Sequence, residues 1–348
     1  MSLSLHQALL VFTIGALSSW AFVGLMRNVA IRFSVLDRPD NERKKQRESV
    51  PYLGGVGIVI AILFCLTVGF LTIPISGPVL SDSLYLLIPC LIIGIVGLWD
   101  DLKNLTPHFR LMIQVLLGLV CSISITFGST SGNFTGNKTL DILVTIIWIV
   151  GITNAVNFFD NYDGGAAVAT FMSSSGVALY SWLSGQVYIF AISVILMGVL
   201  VGFYVWNRNP AQIYMGDAGA LFLGMLLASL GVRIDPIADS KIVALTIPIL
   251  FMAIPILDTT TVVISRLKNG RSPMKGGRDH LSHRLNSIGY SPARVLGTIA
   301  FLSLFFQLVA SITIFTSPLE SHLFLVITVL SFAVLLIWFL RIRVNYEL

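Results

Sequence analysis

The chain has 348 residues, 55% of them hydrophobic and only 11% charged, with a mean hydropathy of +0.87. A water-soluble domain carries roughly 25% charged residues, so a soluble protein is excluded. The net charge of +5 would suit nucleic acid, but the basic residues gather on one side of the apolar runs, as in membrane proteins, and no nucleic-acid partner is expected.

In chain order, apolar runs long enough to cross a hydrocarbon core of roughly 30 Å fall at 5–28, 51–73, 83–100, 109–128, 139–157, 165–183, 187–206, 217–232, 241–264, 293–315 and 321–341. These eleven spans predict an all-α polytopic integral membrane protein, one domain over 1–348, with no repeat and no dividing linker. The first run lacks a basic leader segment and reads as a span, not a cleaved signal. Pro248 and Pro255 lie inside the ninth span. Proline removes a backbone donor, so that helix is expected to kink or break and to swing the next loop over the site. Cys65, Cys90 and Cys121 sit within apolar runs and show neither disulfide nor metal-ligand spacing.

The connectors alternate between two kinds. The plain side of the membrane carries only Lys138, Arg233 and Lys241 among the Lys and Arg. The other side holds five polar clusters: Asp37–Glu48, Asp100–Arg110, Asn154–Gly165, Asn207–Gly219 and Arg266–Arg294. This asymmetry puts the clusters and the C-terminus in the cytoplasm and the N-terminus outside. Five clusters on one face predict one polar site there.

Asp100 and Asp101 end the third span. Negative charge at a helix C-terminus opposes the helix dipole, so the pair is either a solvated helix end or a site for a cation. Asn154, Asn157, Asp160 and Asp163 are spaced by threes and on a helix would share a face. A capped helix end followed by turn residues is the alternative. Asp217, between Gly216 and Gly219, is either an N-cap or a ligand. Hard carboxylate oxygens in this number suit Mg²⁺, not zinc. The stretch with Arg278, His280, His283 and Arg284 reads as a basic phosphate-binding lid or as plain positive-inside charge. Asp258, inside the ninth span, is a functional candidate or the partner of a loop Arg. Carboxylates for a metal, cations for phosphates and a site at the lipid boundary point to phosphoryl transfer with a lipid substrate. An ion-coupled carrier is the competing class, but its ionisable groups belong near mid-membrane within repeats.

The motifs Asp100-Asp101, Asn154-Ala-Val-Asn-Phe-Phe-Asp-Asn-Tyr-Asp-Gly164, Met215-Gly-Asp-Ala-Gly219 and Asp279-His-Leu-Ser-His-Arg-Leu285, with Pro51-Tyr-Leu-Gly-Gly-Val-Gly57 upstream, resemble those of a known family. It is the polyprenyl-phosphate N-acetylhexosamine-1-phosphate transferases, the WecA and TagO branch of the superfamily that includes MraY. The resemblance covers about residues 20–310. It implies transfer of a sugar 1-phosphate from a UDP-N-acetylhexosamine to undecaprenyl phosphate, releasing UMP, at the inner face of a bacterial plasma membrane. UDP-GlcNAc is the expected donor and UDP-GalNAc the alternative. Mg²⁺ is the implied cofactor, with Mn²⁺ as a substitute, and a homodimer is compatible with it.

By motif position, the resemblance implies that Asp217 binds the metal. Asp100 would deprotonate the lipid phosphate with Asp101 in support, and Asp160, His280 and His283 would join the catalytic set. Asn154, Asn157 and Asp163 would line the nucleotide site, Tyr214 would stack on uracil, and Arg110, Arg278 and Arg284 would meet phosphates. The branch has His where this chain has Ser282. His280 and His283, three apart, are expected to act together, with Ser282 pointing elsewhere and dispensable. The consecutive His run of MraY is lacking, which disfavours a muramyl-pentapeptide substrate.

Overall fold

The computed structural model describes residues 3–37, 49–72, 77–127, 135–237, 240–273 and 276–344. Its helices are α1 (Leu5–Arg32), α2 (Gly54–Thr72), α3 (Gly77–Lys103), α4 (Pro107–Phe127), α5 (Lys138–Phe159), α6 (Gly165–Leu183), α7 (Val187–Asn207), α8 (Gly216–Arg233), α9 (Lys241–Phe251), α10 (Ala253–Lys268), α11 (Leu281–Ser287), α12 (Pro292–Ile312) and α13 (Pro318–Arg341). Every expected span meets a helix. In lipid, helices satisfy all their own backbone groups, which is why apolar runs of this length fold this way. Among the described residues, nine helices are long and apolar enough to cross a membrane, and ten if the bent pair α9 and α10 is one span. The segment that falls short is α6. Its Ser, Gly and Ala lower the hydropathy, and it is largely buried, packed on α7 and α12. Small residues at such interfaces let helix backbones approach closely.

The expected break is present. The axes of α9 and α10 differ by 79°. Pro255 has no N–H for the carbonyl of Phe251, and Met252 leaves the helical conformation between the two halves.

Burial ranks the helices. In α8, 89% of the apolar window is buried, against 17% in α1 and 11% in α13. The centre of the molecule is therefore α8, packed against α3, α5 and α2, while α1 and α13 leave most of their sides exposed. The Trp148 indole N–H donates to the Ala228 carbonyl at 3.0 Å, pinning α5 to α8. At the ends, Ser4 with Gln7 and Ser317 with Glu320 form capping boxes on α1 and α13.

One element was not expected. Leu36–Asp37 pairs antiparallel with Val50–Pro51. The Tyr214 N–H donates to the Pro51 carbonyl at 2.8 Å, and the N–H groups of Gly54 and Gly55 donate to the carbonyls of Tyr214 and Met215. The first cluster is thereby tied to the fourth. Of Asp37–Glu48, residues 38–48 lie outside the described residues.

Candidate active site at the polar face

The clusters meet where α3, α5 and α8 end or begin on one face. This needs backbones close together, and two glycines permit it. A Cβ on Gly55 would lie 2.2 Å from the Gly219 nitrogen, so only glycine lets α2 and α8 cross here. Gly216 opens α8 at φ +72°, and a Cβ there would lie 2.7 Å from Asp101 Oδ2.

Asp101 accepts from the N–H of Asp217 at 2.9 Å and of Ala218 at 3.1 Å. It therefore caps α8 from a neighbouring helix, favourably placed at a helix N-terminus. Both its oxygens are committed, so Asp101 positions Asp217. Asp100 accepts from the Leu105 N–H at 2.5 Å and from Arg110 Nη1. The same Arg110 nitrogen donates to Asp217 Oδ2 at 2.6 Å, and Asn157 Nδ2 donates to Asp217 Oδ1 at 2.7 Å. Asp100, Arg110, Asp217 and Asn157 thus form one connected row drawn from three of the clusters.

The expectation of one helical face from Asn154 to Asp163 is corrected. The helix α5 stops at Phe159, and Asp160 is its C-cap. Only Asn154 and Asn157 lie on the helix. Asn154 turns to Gln114 of α4 and to the Val150 carbonyl, and so braces two helices. Asp160 stands beyond the helix end. Burial, then the neighbouring Asp217 and Asp163, push its carboxyl up to about 7, against one N–H from Gly216. Asp163 accepts from Asn209 Nδ2 at 2.9 Å and the Ala211 N–H at 3.1 Å. It shapes the segment leading to Tyr214, which itself is half-buried.

The basic loop is held from beneath. Asp258 is fully buried, and its partner is a histidine and not the expected Arg. It accepts from the Leu281 N–H and pairs with His280 Nδ1, both at 2.7 Å. An ionised carboxylate only accepts, so the ring proton sits on Nδ1 and leaves Nε2 for a ligand. The rings of His280 and His283 lie 6.4 Å apart, adjacent as their spacing implied. Burial, then the charges of His280 and Arg278, push His283 down to about 4, so it is neutral near pH 7. Arg266 and Asp279 form a bidentate pair at 2.7 and 2.8 Å. Although Asp279 is buried, Arg266 holds its carboxyl below the usual range.

One expectation for this loop is overturned. Arg284 does not reach a substrate. It is 1% exposed, and it donates to the carbonyls of Asp279, Phe339 and Ile342 and to Ser265 Oγ. It ties α11 to the C-terminus of α13, whose last carbonyls need donors. Ser282 has a partner of its own. It is buried and donates to Asn161 Oδ1 at 2.9 Å. Arg278 is exposed on the loop. Gln114 and Asn161 were missed by the sequence reading. Asn161 sat inside the polar motif, but Gln114 is a lone amide in an apolar run whose partner lies 40 residues away.

The donor set fits Mg²⁺. Among the described residues no three His, Cys, Asp or Glu form a preformed metal cage, but Mg²⁺ is usually held by one or two carboxylates plus substrate phosphates. Asp217 and Asp100 are the carboxylates that would hold it, and Arg110 already stands between them as a cation.

A helical membrane protein with this row of carboxylates and cations at one face is similar to the phospho-sugar transferases. Residues 83–235 match the model of glycosyl transferase family 4, and the resemblance read from the motifs is borne out over most of the chain. The chain is 26% identical to a probable undecaprenyl-phosphate N-acetylglucosaminyl 1-phosphate transferase of Bacillus subtilis (strain 168), over 94% of this chain and 90% of that protein. It is 29% identical to the decaprenyl-phosphate N-acetylglucosaminephosphotransferase of Mycolicibacterium smegmatis, over 90% and 84%. A phospho-N-acetylmuramoyl-pentapeptide-transferase of Streptococcus thermophilus is 31% identical, over 56% and 63%. These relatives give no support to the carrier.

Proposed function

We propose that the protein transfers N-acetylglucosamine 1-phosphate from UDP-GlcNAc to undecaprenyl phosphate, with Mg²⁺, at the cytoplasmic face of a bacterial plasma membrane. The observation that carries the reading is the bridge of Arg110 between Asp100 and Asp217. It is a ready-made balance of charge for a diphosphate and a divalent cation. GlcNAc is favoured because the two relatives that align over nearly the whole chain carry it in their names, whereas the muramoyl relative aligns over 56%.

In this reading an oxygen of the lipid phosphate attacks the sugar-bearing phosphorus of the donor. The bond from that phosphorus to the bridging oxygen breaks, and UMP leaves with the electron pair. Asp100 takes the lipid phosphate's proton on Oδ2, and Arg110 turns from the carboxylates to the diphosphate. Asp101 holds α8, and through it Asp217, in place. Neutral His283 offers its N–H to phosphate oxygens, and His280, oriented by Asp258, leaves its Nε2 to accept. Mg²⁺, held by Asp217 with Asp100 beside it, would neutralise charge on the diphosphate. The test is purified protein with undecaprenyl phosphate and a panel of UDP-sugars, following UMP and the mass of the lipid product. EDTA should silence the wild type, Mg²⁺ or Mn²⁺ should restore it, and Asp217→Asn should be inactive though folded. Full turnover in EDTA would remove the metal from this reading.

A further inference from the structure

We propose that Asn161 and Ser282 are positioning residues for the transfer. They latch α11, and with it His280 and His283, onto the turn that carries Asp160. The inference rests on the transferase reading above. Ser282 is 2% exposed, and its hydroxyl donates to Asn161 Oδ1 at 2.9 Å across a separation of 121 residues. The acceptor is itself held, because Asn161 Nδ2 donates to the Phe158 carbonyl at 2.6 Å, at the end of α5.

Two further interactions run beside the latch. The Tyr162 hydroxyl bonds Asn286 Oδ1 at 3.2 Å, and the Tyr162 ring stands edge-on to His283 with centroids 6.0 Å apart. The opposite side of α11 is tied to α10 and α13 through Asp258 and Arg284. The short helix is therefore fixed to the scaffold on one side and to the Asp160 turn on the other, and the histidine pair is set between them. Neither latch group titrates near neutrality, so the hold does not depend on pH. An imidazole at position 282 would overfill a buried site.

A double-mutant cycle of Ser282→Ala, Asn161→Ala and both together, read as UMP release, tests this. A net hydrogen bond of ordinary strength corresponds to about a three- to tenfold change. Each single variant should lower kcat by that factor, with KM for UDP-GlcNAc within about twofold. The double variant should be no worse than the worse single, because the two residues act as one unit. The bond from Asn161 to the Phe158 carbonyl is absent from both Asn161 variants and so cancels within the cycle. A merely structural role would lower yield and thermal stability while leaving kcat per folded molecule unchanged. Additive losses, or wild-type kcat in Ser282→Ala, overturn the latch. Amide hydrogen exchange across 281–287 needs no turnover and should quicken in both singles. Unchanged exchange also overturns it. A wild type that releases no UMP, with quickened exchange in the variants, would count against the reaction assigned and leave the latch standing.

Discussion

Replacing Arg110 by Met keeps its apolar stem and removes one charge from the middle of the site. Its Nη1 donates to both Asp100 Oδ2 and Asp217 Oδ2, so a divalent cation on Asp217 must share this space with a positive charge. Ions of +2 and +1 about 6 Å apart repel by about 1.4 kcal/mol even at the dielectric constant of bulk water, and by more in a half-buried site. That is a factor of about ten in affinity. Arg110→Met should therefore lower the half-saturating Mg²⁺ at least about tenfold. The KM for UDP-GlcNAc should rise, because a phosphate partner has gone. A Mg²⁺ titration of UMP release reads both effects, and Mn²⁺ binding followed by electron paramagnetic resonance without substrate reads the metal alone. An unchanged or higher metal requirement, together with wild-type KM, would refute the placement of the metal beside Arg110.

Arg284→Met removes the guanidinium that serves the carbonyls of Phe339 and Ile342 and leaves the first with only the Ile342 N–H. Charge-assisted bonds are worth about 1.5–3 kcal/mol, so the melting temperature in detergent should fall by several degrees while KM for UDP-GlcNAc stays put. A raised KM at unchanged stability would return Arg284 to the substrate. Gly55→Ala forces a Cβ to within 2.2 Å of the Gly219 backbone, so turnover and thermal stability should both collapse, and a stable, active variant would contradict the packing of α2 on α8. His283, pushed down to about 4 by burial and by the charges of His280 and Arg278, stays neutral as pH falls through its ordinary value near 6.5. An unfolded chain would take the proton first, so folded stability drops between about pH 6.5 and 4, while activity shows no acid limb from this residue near 6.5. The pH–rate profile of His283→Gln should run parallel to the wild type from about pH 5.5 to 8. A wild-type limb near 6.5 that vanishes in the variant would be the contrary result.

The spans, the break at Pro248 and Pro255, and the gathering of Asp100, Asp217 and the His280 loop on one face were legible in the sequence. Each follows from a local rule: apolar length, a missing N–H, or the side on which a connector emerges. Which atoms meet was not legible. Asp101 and Asp100 are neighbours in the same motif, yet one caps α8 and the other meets Arg110, because successive residues on a helix point about 100° apart. The spacing of Asn154 to Asp163 implied one face, but the chain leaves the helix at Asp160, and period-three reasoning ends with the helix. Arg284 and Arg278 are indistinguishable as basic loop residues, and only the position of α13's carbonyl end commits the first to the scaffold. The partners of Ser282, Asp258 and Gln114 lie 22 to 121 residues away, so only the crossing of helices in space could choose them. Composition and period along the chain determined the class of protein and the face on which its polar clusters gather, and the tertiary packing of α3, α5, α8 and α11 decided which carboxylates meet Arg110 and which hold the others in place.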